Sequence, residues 1–292
     1  MSSWVVSHVT IRPLLDARRR GAPTVDLSLD LGRTTTAVAL APDGVRIGPD
    51  LLTWHAVESI AAANSACFTI EPTADDGPLS AETIKAFSAA LGRAYTLYPT
   101  ERAPTMLVSG IPMHRIKGTD PLADTDRKVA ALRPVGGRVL DTATGLGYTA
   151  IALAKAGAQV TTIELDPVVL DLARRNPWSQ ELFQDARIEQ RVADAAELTA
   201  ELPSNGFSAI LHDPPTLSLA GDLYGLAFYR GLFRLLRPGG RLFHYVGNPA
   251  SPSGGRTTKG VARRLGEAGF ERVRAVPDAF GIVAVRPVAG RR

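Results

Sequence analysis

From about Thr119 to the C-terminus, apolar runs of strand length alternate with stretches of helical period. The segment predicts a helix over 120–132 and a strand over 138–142, then a helix over 148–156 and a strand over 159–163. A helix over 167–175 and strands over 188–193 and 207–212 follow. A helix over 222–236, a strand over 241–246, a helix over 257–268 and two strands over 271–276 and 280–286 close the chain. Alternation at this spacing predicts an α/β fold with a parallel sheet covered by helices on both faces. Asp120-Pro121 is the start signal, a capping acid followed by Pro at the first helical position.

The first 110 or so residues read differently, as a small α+β region. Residues 25–48 alternate apolar and polar side chains around a Pro-Asp-Gly turn at 42–44, the pattern of a tight hairpin. Residues 51–63 suggest a short helix capped by Thr53, and 68–71 a strand. Ser80, Glu82 and Thr83 suggest the start of a helix over 80–91, with 95–99 and 105–109 extended. The expected organisation is therefore two domains, 1–110 and 111–292, within reach of a 292-residue chain. A single cysteine, Cys67, excludes a disulfide framework and any multi-cysteine zinc or iron–sulfur site. No apolar run approaches the roughly 20 residues of a membrane span, and the N-terminus lacks the apolar core of a secretory leader. A cytoplasmic protein with no membrane partner is expected, and its oligomeric state is left open.

Residues 139–147 read VLDTATGLG: a strand ending in Asp141, then a turn of small residues, Thr142 and Ala143, leading into a helix. Gly145 and Gly147 let a ligand approach the backbone closely, although strand–helix turns also use glycine for packing alone. A phosphate loop is excluded because no Gly-Lys-Ser/Thr follows, and the dinucleotide fingerprint is broken by Ala150 in place of its third glycine. Glu164 ends the second strand, 23 residues after Asp141, where an acid can accept both hydrogen bonds of a ribose diol. Asp194 follows the third strand, where a carboxylate can accept from an adenine amino group, and Asp213 follows the fourth. Four acids at successive strand tips, with no lysine among them, suit a cationic, phosphate-free nucleoside. S-adenosylmethionine (SAM), with its sulfonium, ammonium and ribose, is such a ligand.

These motifs resemble those of the class I SAM-dependent methyltransferases over about residues 120–286. VLDTATGLG is similar to their first motif, IELD to the second, VADA to the third and HDPP to the fourth, while LLRPGGRL resembles the turn before their fifth strand. The resemblance implies a Rossmann-like sheet, mostly parallel with an antiparallel C-terminal strand, and SAM as cofactor. It assigns cofactor binding to Asp141, Thr142, Ala143, Gly145, Gly147, Tyr148, Glu164, Leu165, Asp194, Ala195, Asp213 and Pro214. Ala143 stands where the family usually has its first glycine, which requires a negative φ there. SGIPMHRIKGTDP, LDTATGLGYTAIA, NPWS and HDPPTLSLAGDLYGLAFYR look like a poorly characterised, mostly archaeal family of predicted methyltransferases with spermidine-synthase-like features.

Methyl transfer needs in-line positioning and, for a poor nucleophile, a base. In HDPP two prolines stiffen the strand exit and fix Asp213, a candidate for binding or deprotonating an amine. Amino-methyltransferases carry an aromatic residue after the matching prolines. Thr216 stands there in this chain, which weakens a flipped-base substrate. His114 is a candidate for proton transfer, and Tyr224 for substrate contact, whereas Tyr229 is expected in the core. His212 and Asp213 are expected on opposite faces of the strand, and His244, Tyr245 and Asn248 at the substrate edge. Scattered histidines give no metal-ligand spacing, and no nucleophile elbow is present, which excludes hydrolase chemistry. The expected activity is methyl transfer from SAM to an unidentified nucleophile, an amine favoured, on a small molecule or macromolecule. The alternatives are aminopropyl transfer, suggested by FYRGLFRLLRPGG but opposed by the TATGLG turn and by the lack of an Asp-Ser-Ser-Asp loop; cyclisation of SAM; and a non-catalytic SAM- or RNA-binding subunit.

Charge is distributed unevenly. Residues 216–292 hold 13 Lys+Arg against 4 Asp+Glu, a net of +9, and residues 1–215 hold 20 against 25, a net of −5. The acidic half suits a cationic cofactor. Arg230, Arg234 and Arg237 are expected on a solvated helix face. Arg256, Lys259, Arg263 and Arg264 follow Pro249–Gly255, a Pro-Ser-Gly stretch expected to be a mobile loop. Residues 249–264 are thus where an anionic substrate would meet the chain.

Overall fold

The structure is a computed structural model that describes residues 3–73, 77–215 and 220–288. The chain divides into two compact units. One holds the chain up to Leu122 together with Val168–Gln180, and the other holds Ala123–Pro167 and the chain from Glu181 onward.

The second unit is built on a seven-stranded sheet of β1 (Gly137–Asp141), β2 (Ala158–Glu164), β3 (Ile188–Val192), β4 (Phe207–His212), β5 (Leu236–Tyr245), β6 (Glu271–Val276) and β7 (Gly281–Val285). Their order across the sheet is β3-β2-β1-β4-β5-β7-β6. The first five run parallel, and β7 pairs antiparallel with both β5 and β6. From Pro121 onward the helices in chain order are α1 (Pro121–Leu132), α2 (Tyr148–Lys155), α3 (Pro167–Arg174), which from Val168 on belongs to the first unit, α4 (Gln180–Gln184), α5 (Ala195–Glu201), α6 (Leu226–Leu235) and α7 (Pro252–Glu267). The chain winds outward from β1 to β3, then returns to β4 on the other side of β1. The strand order therefore reverses between β1 and β4, the position where open α/β sheets hold ligands at their carboxyl edge.

Hydrophobic periodicity explains the layers. In α6 the buried residues Phe228, Tyr229, Leu232 and Leu235 form one stripe. In α7 Val261 and Leu265 do the same, and both helices join the apolar cluster around Leu242 and Ile282 of the sheet. Phe233 of α6 packs edge-on to Phe270 at 5.2 Å between ring centres.

The first unit contains antiparallel sheets. Trp4–Val6, Phe68–Glu71 and Ser80–Thr83 form one, and Thr24–Leu27, Thr36–Ala41, Gly44–Ile47 and Asp50–Thr53 a meander. Lys85–Ser88, Arg93–Tyr98, Thr105–Val108 and Ile111–Pro112 form the third. Helices His8–Arg19 and Trp54–Ala62 cover an apolar core that includes Ile11, Leu14, Leu52 and Val57. Thr53 caps the second helix as expected, its hydroxyl accepting from the Ala56 amide.

Several elements differ from expectation. The helix over 80–91 is two strands: Ala81 pairs with Ile70, and Phe87 with Ala94, so sheet partners from elsewhere in the chain overrode a local start signal. The stretch expected as a mobile loop instead begins α7, because the Ser251 hydroxyl accepts from the Gly254 amide and Pro252 occupies the first turn. The helix over 222–236 is a 3₁₀ turn, Gly221–Tyr224, followed by α6. His8–Arg19, closed by a capping box of Ser7 and Thr10, had no strong sequence signal because Pro13 interrupts it.

Gly147, the N-cap of α2, has φ +79°, and a Cβ there would lie 2.6 Å from Leu182. Left-handed strain and overpacking act together, so Gly147→Ala should destabilise the protein by about 3 kcal/mol in urea unfolding.

Candidate active site

The four acids do cluster at neighbouring strand tips, but their environments differ. Asp141 is fully buried at the end of β1. Its Oδ2 accepts from the hydroxyls of Thr149 (3.0 Å) and Thr162 (2.9 Å), and Thr162 pairs in turn with Thr144 at 2.7 Å. Asp141 Oδ1 is buried without a hydrogen-bond partner among the described residues. Burial pushes this carboxyl up to about 7; the two threonine hydroxyls pull it down, and the negative charge of Asp213 adds to the rise.

Glu164 closes the glycine turn. Its Oε2 accepts from the Gly145 amide at 2.9 Å and its Oε1 from the Asp166 amide at 3.1 Å, while burial raises its carboxyl. Each oxygen keeps a lone pair for a further donor. Gly145 has φ +53°, and no atom lies within 4 Å of where its Cβ would be, so the turn opens onto free space. Ala143 is absent from the positive-φ residues, so its methyl is accommodated. Leu165, beside Glu164, is 46% exposed, an apolar surface at the sheet edge. Asp194 caps α5, its Oδ1 accepting from the Ala196 amide at 2.6 Å, while Ala195, Tyr148 and Pro214 are buried around the turns.

Asp213 corrects the expectation of a rim without lysine. Lys128 of α1, 1% exposed, places Nζ 2.6 Å from Asp213 Oδ2 and 2.8 Å from Asp124 Oδ2. The ammonium also sits 4.6 Å from the centre of the Tyr245 ring. The two carboxylates hold Lys128 well above its ordinary value against the cost of burial. Burial pushes the Asp213 carboxyl up, and Lys128 pulls it back. Asp213 remains 16% exposed, and its Oδ1 has no partner among the described residues. Sequence reasoning missed Lys128 because Asp124 and Lys128, four apart on a helix, look like an ordinary surface pair.

Behind this edge the histidines are structural. His212 donates from Nε2 to the Leu223 carbonyl (3.0 Å), so Nδ1 accepts from the Thr142 hydroxyl at 2.6 Å. Burial lowers its imidazole to about 3. His244, expected at the substrate edge, is instead buried beside it. Strand register pairs the two residues, their ring centres are 4.4 Å apart, and His244 Nε2 meets the Tyr229 hydroxyl at 2.9 Å. Tyr224 is buried, and its hydroxyl donates to the Pro215 carbonyl at 3.0 Å, which braces the Asp-Pro-Pro turn. Asn248 is exposed, its Oδ1 accepting from the Ala250 amide. His114 belongs to the first unit, where its Nδ1 lies 2.9 Å from the Thr105 hydroxyl. Thr216 lies outside the described residues. Among the basic residues, Arg256, Lys259 and Arg263 are exposed on α7, with Arg263 paired to Glu267 at 2.7 Å. Arg264 instead turns toward the Tyr229 hydroxyl. Arg234, expected on a solvated face, donates to the carbonyls of Thr199 and Leu202 at the end of α5.

An orphaned buried carboxylate oxygen, open space beside a positive-φ glycine, an exposed leucine and acids without phosphate-binding groups fit a cationic nucleoside. They give a Rossmann-like sheet edge that suits such a ligand. A sequence model of a methyltransferase domain matches residues 139–240. An uncharacterised protein of Methanocaldococcus jannaschii is 48% identical over 195 residues, 66% of this chain and 67% of that protein. A ubiquinone biosynthesis O-methyltransferase of Xanthomonas axonopodis pv. citri is 35% identical over 121 residues. That match covers 39% of this chain and 44% of the Xanthomonas enzyme. The chain is similar in fold to a spermidine synthase solved with a transition-state analogue (TM-score 0.59, 18% identity, 75% of this chain and 80% of that one). The synthase of Thermotoga maritima is similar in the same way (TM-score 0.56, 18% identity, 74% and 78%). The chain belongs to the class I SAM-dependent methyltransferases, in one family with the M. jannaschii protein. It is an enzyme, and SAM is its cofactor. Among the described residues no helix is long and apolar enough to cross a membrane.

The Asp141 carboxyl titrates near 7 in the folded chain against an ordinary value of 3.8. The folded state therefore binds the extra proton between those values, and stability falls as pH rises through that window. Asp141→Asn removes the loss. Its stability relative to wild type should climb from pH 4 to pH 7, by up to about 1.4 kcal/mol per pH unit, in urea unfolding without cofactor. A pH-independent difference would contradict the buried, protonatable carboxyl.

Proposed function

We propose that the methyl acceptor is an amine and that Asp213 binds it. The supporting observation is the split of the Asp213 carboxylate: Oδ2 rests on Lys128 at 2.6 Å, and Oδ1 has no partner among the described residues. With Oδ2 engaged by the buried ammonium, Asp213 has Oδ1 left to offer a substrate N–H. Asp213 thus serves by accepting an N–H hydrogen bond that aims the nitrogen lone pair, rather than by removing a proton. The prolines after it, with Pro215 braced by Tyr224, keep that acceptor fixed.

Bound SAM supplies a methyl group made electrophilic by its sulfonium. In this proposal Glu164 accepts from the ribose hydroxyls, Asp194 from the adenine amino group, and Leu165 covers the adenine face. Asp141 receives the cofactor's ammonium, and Gly145 and Gly147, with Thr142, Ala143 and Tyr148, shape the turn against it. Ala195 and Pro214 complete the walls. An acidic group on the acceptor would meet Arg256 and Lys259 of α7, exposed and without ion pairs among the described residues. The one cysteine, buried and free, suits a cytoplasmic setting.

Incubating an extract of the source organism with enzyme and methyl-labelled SAM, followed by mass spectrometry, should place the label on nitrogen, with S-adenosylhomocysteine as co-product. Label on oxygen or carbon would remove the amine assignment, and release of methylthioadenosine would remove methyl transfer itself. Glu164→Ala should weaken SAM binding by about tenfold or more in calorimetry, the loss of a charged hydrogen-bond acceptor. Unchanged affinity would take Glu164 out of the ribose site.

A further inference from the structure

We infer that Lys128 is the positioning residue of the acceptor site: by occupying Oδ2 of Asp213 it keeps that carboxylate ionised and leaves Oδ1 as its sole free acceptor. This deepens the proposed function and rests on its placement of the acceptor at Asp213.

Three observations carry the inference. Lys128 is buried, and its ammonium makes contacts in three directions, to Asp124, to Asp213 and to the face of Tyr245. Such a lysine, 1% exposed, is shielded from substrate and acts through its neighbours. Second, holding α1 in place needs one carboxylate, and Asp124 on the same helix supplies it. Asp213 comes 85 residues later, from the tip of β4, and is the partly exposed partner. Third, two carboxylates on one ammonium leave a net charge of −1. The other groups facing Asp213 are Asp141 from β1 and Tyr224 from the 3₁₀ turn, with Tyr245 from β5 against the ammonium, so among the described residues Lys128 is the cation facing Asp213.

The consequence is chemical. Without Lys128, Asp124 and Asp213 would be two close buried carboxylates, and such a pair retains a proton toward neutral pH. A protonated Asp213 presents an O–H donor where the acceptor amine needs an oxygen acceptor. With Lys128 and without Asp124, the ammonium serves Asp213 alone, and the carboxylate persists to lower pH.

The test compares Lys128→Met and Asp124→Asn with the wild-type full chain. The readouts are transfer of label from methyl-labelled SAM to the acceptors in extract of the source organism, and ¹³C NMR titration of the aspartate carboxyls. The Asp213 resonance is identified by its loss in Asp213→Asn. The Lys128→Met rate divided by the wild-type rate should be lowest below pH 7 and climb by about tenfold for each pH unit of displaced titration. The Asp213 resonance should titrate at higher pH. In Asp124→Asn both effects reverse: the ratio rises as pH falls, and the resonance titrates lower. Dividing by the wild-type rate cancels the protonation of the acceptor itself. A purely structural lysine would give a ratio independent of pH, and that outcome in both variants overturns the inference. Should Lys128→Met fail to fold, Asp124→Asn, which retains the Lys128–Asp213 pair, decides the matter alone. Asp213→Asn separates the two levels. If it transfers label like wild type, the acceptor is not at Asp213 and the proposed function fails. If it is inactive while both pH ratios are flat, only the role of Lys128 falls.

Discussion

A neutral imidazole holds the ligand-binding edge of the sheet together. His212 sits at the tip of β4, fully buried, and its two nitrogens face opposite ways. One accepts from Thr142 in the turn after β1, and the other donates to Leu223 in the 3₁₀ turn ahead of α6. Three segments that diverge from the strand-order reversal are thereby tied at one ring. Only an uncharged histidine has one donor and one acceptor in this arrangement, which is why deep burial and a low titration point accompany the geometry. Asp213 follows directly in the chain and inherits its direction from this anchor.

The same edge shows how a site can be negative and still stable. Asp141 is satisfied on one oxygen by threonines, Glu164 by backbone amides, Asp194 by the start of α5, and Asp213 by an ammonium. Asp141 and Glu164 each have two firm protein partners, and Asp194 and Asp213 have one apiece. Asp141, Asp194 and Asp213 each keep an oxygen with no hydrogen-bond partner among the described residues, and Glu164 keeps lone pairs. Stability and ligand readiness are thus met by different oxygens of the same carboxyl groups.

Much of the sheet was legible from residues 120–286, because parallel strands buried on both faces leave long apolar signals and their tips carry acids. The acids, the glycine turn and the negative φ at Ala143 were all readable in the chain. Lys128 was not, since its importance lies in contact with a residue 85 positions away. His244 departs from the substrate edge because its place near the end of β5 does not show that α6, through Tyr229, covers its ring. The strands over 80–83 and 85–88 were hidden for a related reason: their partners, Phe68–Glu71 and Arg93–Tyr98, outweigh the local propensity for helix.

The crossover between β2 and β3 has a topological consequence. Its segment Val168–Gln180 belongs to the first unit, where Trp178 donates to the Leu31 carbonyl, Arg33 to Gln180 and Arg175 to Thr69. The polypeptide therefore leaves the sheet unit at Pro167 and re-enters it at Glu181. Neither unit is a contiguous stretch of chain. A gene fragment beginning near residue 120 would encode every strand of the large sheet and yet orphan one of its own connections. A cut at any single point in the sequence therefore leaves at least one of the two units incomplete.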